Sequence, residues 1–544
     1  MTGRLTLTWA NKDRALLSHG ESGYEWVDRD DPRAREVRLL DEIGRVGEVA
    51  GDTSDNLLIR GDSLDALRAL VHTPELAAEY RGKVKLVYID PPFNTGQAFK
   101  HYDDSLEHSV WLGMMRERLV LIKELLSPEG SVWVHLDDAE MAYCKVLMDE
   151  IFGRQSFVAS FVWQKADSPS SNNVPLASYH DFILVYGAGE RTFRASAMED
   201  PAVLDAFPGV SDDGVRFRDR LLRKNGKASL RTERPSMWFP IQAPDGEVVF
   251  PIDDDGVERR WAYSADSVAS LLASNEIIWK RRPKRGGGEQ WVPYTREFAP
   301  ETPTRPWPTL WSDVLMNRQA KAQVKKIVQG VATFDTPKPE QLLERVIKIS
   351  TGPGDVVLDC FAGSGTTAAV AQKMGRRWVT VELSESTADT FTKPRLTKVV
   401  AGEDPGGITE AAGWSGGGGF RDLRIAPSAW EVHTAEGELD VYRAESVSTE
   451  TLTRSVAAQL GYQLIDDPVF SGARGRSRLA VIDGVADATA VTDIASVLAE
   501  GQTALVAATS VTDDAQTTLR DLCKGSRVIR IPRELFPRTT AVTR

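Results

Sequence analysis

The sequence predicts an α/β protein in which helices cover the faces of a parallel sheet, and three observations predict it. Short apolar runs of strand length alternate with longer stretches whose apolar residues recur at helical spacing. Those runs are near-continuously apolar, as strands buried on both faces of a parallel sheet must be. The alternation stops between about 165 and 305 and resumes afterwards, so a different module interrupts the sheet. At 544 residues the chain exceeds one ordinary domain and has room for three or four units.

Residues 1–55 are polar and charge-dense without sustained periodicity, and read as an irregular leader packed on the α/β region C-terminal to it. Leu57–Ile59 reads as a short strand, Leu64–Val71 as a short helix, and Val84–Ile89 as a buried strand ending at Asp90. Trp111, Met114, Met115, Leu119, Ile122, Leu125 and Leu126 form a helical stripe, and Gly130 precedes a strand at Val132–Leu136. A helix carrying Met141, Leu147, Met148 and Ile151 closes this half, 56–164. The interruption, 165–305, is rich in Pro, Gly, Asp and Arg around short apolar pieces such as Phe182–Tyr186. In the second half, 306–400, a helix near Glu340–Ile349 is followed by a strand at Val356–Asp359, a glycine turn, a helix from about Thr366 to Met374 and a strand at Trp378–Glu382. Gly413–Gly419 reads as part of a linker, 401–424. Beyond it, strands near Leu479–Ile482, Ala504–Ala507 and Val528–Ile531 alternate with helices, predicting a small α/β domain over 425–544.

Composition narrows the class. A net charge of -12 excludes a protein that coats nucleic acid by bulk electrostatics but leaves room for a local basic groove. The densest basic run is Lys280-Arg281-Arg282-Pro283-Lys284-Arg285, ahead of three glycines, and a second group spans Arg216 to Arg234. An isolated run of this kind reads as a solvated loop. No stretch is long and apolar enough to span a bilayer, and the first residues lack the apolar run of a signal peptide. Cys144, Cys360 and Cys523 are far apart and show no metal-ligand spacing, which points to no zinc site, no disulfide framework and a cytoplasmic home.

The first chemical motif, Asp90-Pro91-Pro92-Phe93-Asn94-Thr95-Gly96, directly follows a buried strand. The carboxyl ends of parallel strands are where ligands sit. Two prolines stiffen the loop, so Asp90 and the Pro91 carbonyl form a fixed pair of acceptors beside the Phe93 ring. That set suits a planar base bearing an amino group, with the ring stacked on its face and both amino hydrogens accepted. An exocyclic amine is a poor nucleophile because its lone pair is delocalised. Alignment and preorganised polarity then carry the chemistry without a metal or covalent nucleophile. An Asp-Pro-Pro tripeptide alone would be no more than a proline-capped strand end, but the flanks Tyr88-Ile89 and Asn94-Thr95-Gly96 extend the pattern.

The second motif, Val357-Leu358-Asp359-Cys360-Phe361-Ala362-Gly363-Ser364-Gly365-Thr366-Thr367, is a strand running into a glycine turn at a helix N-terminus, where unpaired amides favour an anion such as an amino-acid carboxylate. Glu382 ends the next strand, where an acid accepts from ribose hydroxyls. Nicotinamide binding competes for such a turn, but its fingerprint needs a third glycine where this chain has Ala368.

Together these residues resemble the amino-methylating DNA methyltransferases of the beta group, whose motif order is circularly permuted, and most closely the modification (Mod) subunits of type III restriction-modification systems. The resemblance covers roughly residues 50–400 and extends to Leu58–Leu64, Trp111 with Arg118-Leu119, His135–Glu140, Asp149–Gly153, Trp311–Asp313 and Thr336–Pro339. It implies a Rossmann-like core using S-adenosylmethionine, with an inserted target-recognition domain. It makes Asp90, Pro91, Pro92 and Phe93 the catalytic loop, and Asp359, Phe361, Ala362, Gly363, Ser364, Gly365, Thr366 and Glu382 the cofactor site. Pro337-Lys338-Pro339 would close over the methionine carboxylate, and Asp62 would either approach the cofactor or cap a helix. His135 and Asp137 receive no role. Lys280, Arg281, Arg282, Lys284 and Arg285 would contact duplex DNA. Asp at position 90 implies N6 of adenine, whereas cytosine-amino enzymes of the group more often carry Ser; the alternatives are cytosine N4 methylation and a catalytically silent DNA-binding protein. A methyltransferase of RNA or protein is disfavoured by the inserted module. The family further implies a homodimer and an ATP-dependent helicase-nuclease partner. The chain has no P-loop or nuclease motif of its own, so alone it should methylate and not cut.

Overall fold

The computed structural model describes residues 5–19, 23–94, 107–168, 176–284, 286–327, 334–435 and 438–536. They form two compact units, one of residues 1–196 with 308–544 and the other of 197–307.

The first unit is organised by a ten-stranded sheet. Its strands are β1 (Leu40–Gly47), β2 (Asn56–Arg60), β3 (Val84–Ile89), β4 (Leu126–Leu136), β5 (Phe157–Gln164), β6 (His180–Gly187), β7 (Leu310–Trp311), β8 (Val356–Asp359), β9 (Arg377–Glu382) and β10 (Gly419–Ile425). Across the sheet the order is β7-β5-β6-β4-β3-β8-β9-β2-β10-β1. The run β4-β3-β8-β9-β2-β10 is parallel throughout, while β6 and the edge strand β1 are antiparallel to their neighbours. Six helices matter to the site: α1 (Ser63–His72), α2 (His108–Leu125), α3 (Met141–Met148), α4 (Glu340–Ser350), α5 (Thr366–Lys373) and α6 (Lys393–Ala401). Leu57, Ile59, Val87, Ile89, Val134, Leu358 and Val381 of the central strands are within 1% of full burial, packed on Leu67, Trp111, Met115, Ile122 and Leu147 of the helices. The apolar runs are therefore the sheet and the helical stripes its cover.

Three boundaries differ from the sequence expectation. The leader is not irregular throughout: Ala15–Ser18 pairs with Tyr24–Val27, and β1 joins the main sheet through β10. Five of the eight β1 residues are charged or glycine, and most are exposed, so no apolar alternation announces this edge strand. The interrupted region does not leave the sheet at 165, because β6 inserts between β4 and β5 and the second unit begins at Ala197. The glycine-rich stretch is not a free tether. A Cβ on Gly402 would lie 2.4 Å from the Ser415 carbonyl oxygen, and one on Gly416 would lie 2.9 Å from the Gly402 nitrogen, so these glycines let backbone cross backbone before β10 enters the sheet.

The second unit has its own four-stranded antiparallel sheet, ordered Gly209–Val210, Arg216–Leu221, Glu289–Phe298, Ile277–Pro283, over a small core of Leu222, Ile241, Trp261, Val268 and Ile277. Towards the C-terminus, Ser477–Ala486, Thr503–Val511 and Arg527–Arg530 form the parallel part of a five-stranded sheet with apolar clusters on both faces. The leader holds this module: Glu36 accepts from the Ala429 amide at 3.0 Å, and the Val37 amide donates to Gln459 Oε1 at 2.8 Å.

Candidate active site

Parallel pairing brings the carboxyl ends of β3, β8, β9 and β2 to one edge of the sheet, and a cavity of about 300 Å³ opens there. Asp90, Asp359, Glu382 and Asp62, which follow or end those four strands, all line it, as do Pro91, Pro92, Phe93 and the Phe361–Ser364 turn. The two motifs lie 269 positions apart in sequence (359 − 90), yet sit on neighbouring strands.

The loop after β3 is held from several sides. Trp111 Nε1 donates to the Pro92 carbonyl at 2.7 Å, so the buried α2 fixes the second proline. Asn94 takes the left-handed conformation at φ 60° and donates to Glu140 at 2.7 Å. Thr95 and Gly96, the end of the motif, lie outside the described residues. Lys338 Nζ donates to Asp90 Oδ2 at 2.6 Å, while Oδ1 is buried with no hydrogen-bond partner among the described residues. Leaving such an acceptor buried and unmatched costs about 1–3 kcal/mol, so the loop is shaped for a donor.

Phe93 stacks on His135, with ring centroids 5.9 Å apart and planes at 18°. His135 is fully buried at the end of β4, where it meets the Tyr88 hydroxyl at 2.8 Å and Asp181 Oδ2 at 3.1 Å; Lys165 reaches the other Asp181 oxygen at 2.7 Å. Burial and the nearby Lys338 charge push the imidazole down, toward its neutral form. Asp181 is held at about 2 against its own burial by the His135 hydrogen bond and the surrounding cations. These fit a neutral ring that donates to Asp181 and accepts from Tyr88. The sequence reading gave His135 no role, took Tyr88 only as a flank of the motif, and did not reach Asp181 or Lys165. The sequence signal was a single polar residue in or beside each of two apolar runs, His135 within Val132–Leu136 and Asp181 just ahead of Phe182–Tyr186.

On the other side, Gly363 has φ 51° and Gly365 φ 74°, and a Cβ on Gly363 would lie 3.1 Å from the Phe334 ring. The Gly363 amide donates to Glu382 Oε2 at 2.8 Å, and the Ser384 amide donates to Oε1 at 3.0 Å. Asp359 Oδ1 accepts from the Phe361 amide at 3.0 Å. Burial raises both carboxyls to about 7. Ser364 and Thr366 are buried, and Arg395 Nη1 donates to Thr366 Oγ1 at 2.8 Å. Arg395 is in turn paired with Glu340 at 2.8 Å, and Glu340 also pairs with the fully buried Lys373, so an ionic knot of α4, α5 and α6 underpins the turn. Asp62 caps α1 by accepting from the Leu64 amide at 2.7 Å, and pairs with Arg118 at 2.7 Å. The helix-cap reading of Asp62 is thus realised at the cavity wall. Lys338, which the resemblance assigns to closing over the methionine carboxylate, donates to the Asp90 loop.

In the second unit the basic run is an edge strand rather than a loop, because Ile277–Pro283 pairs along its length with Glu289–Phe298. Lys280 pairs with Asp219 at 2.6 Å and Arg281 with Asp245 at 2.8 Å. The Arg282 guanidinium lies 5.2 Å from the Tyr294 ring centroid and Lys284 is exposed; Arg285 lies outside the described residues. Among the described residues no group of His, Cys, Asp and Glu could hold a metal ion, and no helix is long and apolar enough to cross a membrane.

The family model described as DNA methylase (N6_N4_Mtase) matches residues 84–393, from β3 to the start of α6. The chain is 31% identical over 434 residues to the "Probable type III restriction-modification enzyme HindVI Mod subunit" of Haemophilus influenzae, covering 70% of this chain and 56% of that protein. It is 29% identical over 353 residues to the "Type II methyltransferase M.KpnI" of Klebsiella pneumoniae, covering 61% and 79%. It is 28% identical over 396 residues to the "Type III restriction-modification enzyme StyLTI Mod subunit" of Salmonella typhimurium, covering 64% and 57%. The chain thus spans just over half the length of these two Mod subunits.

Proposed function

Because this chain belongs to the DNA methylase family N6_N4_Mtase, we propose that it is a site-specific DNA methyltransferase, which methylates N6 of adenine in duplex DNA and serves as the modification subunit of a restriction or phage-defence system. The observation that carries this reading is the meeting of Asp90 and the Gly363 turn in one cavity on adjacent parallel strands.

S-adenosylmethionine, when bound, would supply the methyl group as a sulfonium. The residues fit it: at the Gly363 turn a Cβ would crowd Phe334, and the buried carboxyls of Asp359 and Glu382 line the same cavity as acceptors that hydroxyl groups could share. Glu382 would hold the ribose. The Phe361–Thr366 turn would carry the methionine end.

The target base must leave the duplex to reach the cavity, at a cost of a few kcal/mol in stacking and pairing. Phe93, braced from behind by His135, would receive its face. Asp90 Oδ1 would accept one amino hydrogen, and the Pro91 carbonyl would take the other. Accepting both hydrogens would localise the nitrogen lone pair and fix its direction in the cavity. Asp90, already hydrogen-bonded to the amino group, would take the proton that the nitrogen gives up on methylation.

The second unit, 197–307, would read the target sequence, with the basic edge strand on the phosphates. Two relatives are named Mod subunits of type III restriction-modification enzymes, which supports assembly with a restriction partner; we take that partner to be an ATP-dependent helicase-nuclease, the chain to be a cytoplasmic homodimer and the C-terminal module to be its assembly surface.

The test is to incubate the purified chain with duplex DNA and S-adenosylmethionine and analyse the nucleosides by mass spectrometry. N6-methyladenine is expected, absent with Asp90→Ala although that variant still binds S-adenosylhomocysteine. N4-methylcytosine, or undiminished methylation by the variant, overturns the assignment.

A further inference from the structure

Lys338 stands between two prolines, and the sequence placed it over the methionine carboxylate. In the structure its ammonium lies 2.6 Å from Asp90 Oδ2 and 4.9 Å from the Phe93 ring centroid, with the side chain 7% exposed. Asp181 and Asp359 also feel its charge. A single buried cation therefore touches both the acid and the aromatic ring of the catalytic loop, and sits among three carboxylates. Pro337 and Pro339 restrict the backbone that carries it, and Pro339 is the N-cap residue of the buried α4. The base of the lysine is thus tied to the cofactor half of the sheet and its tip to the base-binding half.

We propose that Lys338 is a positioning residue for methyl transfer, which pins the Asp90 carboxylate by its Oδ2 and thereby commits Oδ1 to the amino group of the target base. This rests on the methyltransferase reading above. A carboxylate without that contact rotates and presents either oxygen. The ammonium removes the choice, and Oδ1 is the oxygen left without a partner among the described residues. An ammonium is a point donor with three hydrogens, so it can hold Oδ2 and lie near the Phe93 ring together. The lysine acts through Asp90 and not on the reacting atoms.

The test compares Lys338→Met, Lys338→Arg and Lys338→Ala with the unaltered chain. It measures the single-turnover methylation rate at saturating cofactor and, separately, the Kd for S-adenosylhomocysteine, which carries the methionine carboxylate but no transferable methyl. Lys338→Met is expected to slow transfer by about 10²-fold, the order of loss produced by a misplacement of about 1 Å, while Kd changes less than about threefold. Lys338→Arg restores part of the rate, and propylammonium added to Lys338→Ala restores part of the rest, which an unfolded protein cannot show. A raised Kd with an unchanged saturated rate overturns the proposal in favour of a carboxylate clamp. An unchanged rate and Kd overturn it outright, as does failure of both arginine and propylammonium to raise the rate. If the unaltered chain methylates no DNA, the reading beneath the proposal falls, and the proposal falls with it.

Discussion

Replacing Glu382 by Gln examines the cofactor half of the site through its pH dependence. Glu382 already accepts from two backbone amides, at 2.8 and 3.0 Å, and burial raises its carboxyl to about 7. A ribose would add hydroxyl donors to the same two oxygens, so the ligand selects the ionised form. Affinity therefore strengthens as pH rises through about 7 and weakens below it. Between pH 8 and pH 6 such a carboxyl goes from about nine-tenths to about one-tenth ionised, which lowers affinity about tenfold, or about 1.4 kcal/mol. Asp359, raised to about 7 in the same cavity, adds to the slope where its charge also favours the ligand. Glu382→Gln keeps one acceptor but turns an NH2 against the other backbone amide. Losing a hydrogen bond to a charged group removes about 1.5–3 kcal/mol, so affinity at pH 8 falls at least about tenfold. The pH slope shrinks to what Asp359 contributes. Titration calorimetry with S-adenosylhomocysteine at pH 6, 7 and 8, in buffers of different ionisation enthalpy, reads both the affinity and the protons released. Wild-type affinity that does not change over this range, or an equal slope in Glu382→Gln, refutes the reasoning.

Gly363→Val places a branched side chain at φ 51° with its Cβ 3.1 Å from Phe334, a strained conformation costing about 1–3 kcal/mol. S-adenosylhomocysteine affinity should drop at least tenfold by calorimetry; a loss under twofold would show that the turn does not hold the cofactor. On the basic edge strand, Lys280 and Arg281 already pair with Asp219 and Asp245, so Arg282 and Lys284 are the freer charges for phosphate. Changing both of the latter to Ala should flatten the salt dependence of DNA binding by about two counterions, more than Lys280→Ala with Arg281→Ala does. An identical salt slope in all variants would make the run a solvated surface.

Much of the site was legible because its parts are local. Asp90-Pro91-Pro92-Phe93 and Phe361–Thr366 each combine strand end, turn chemistry and side chain within a few residues, and a parallel sheet sends every strand end to one edge. The buried strands were legible too, since burial on both faces demands an unbroken apolar run. The edge strand β1 was not, because a strand covered on one side and exposed along its length needs no such run. Nor did the glycines before β10 disclose that they let backbones cross, since a tether and a close approach use the same residue.

By itself the sequence determined the α/β class, the two motifs and the order in which they occur, all properties of short segments read against backbone chemistry. Only the tertiary structure decided that Lys338 grips Asp90, that His135 with Asp181 braces Phe93, and that the basic run is an edge strand. Such pairings join residues up to 248 positions apart, and the energy of a hydrogen bond depends on separation in space, which no one-dimensional pattern encodes.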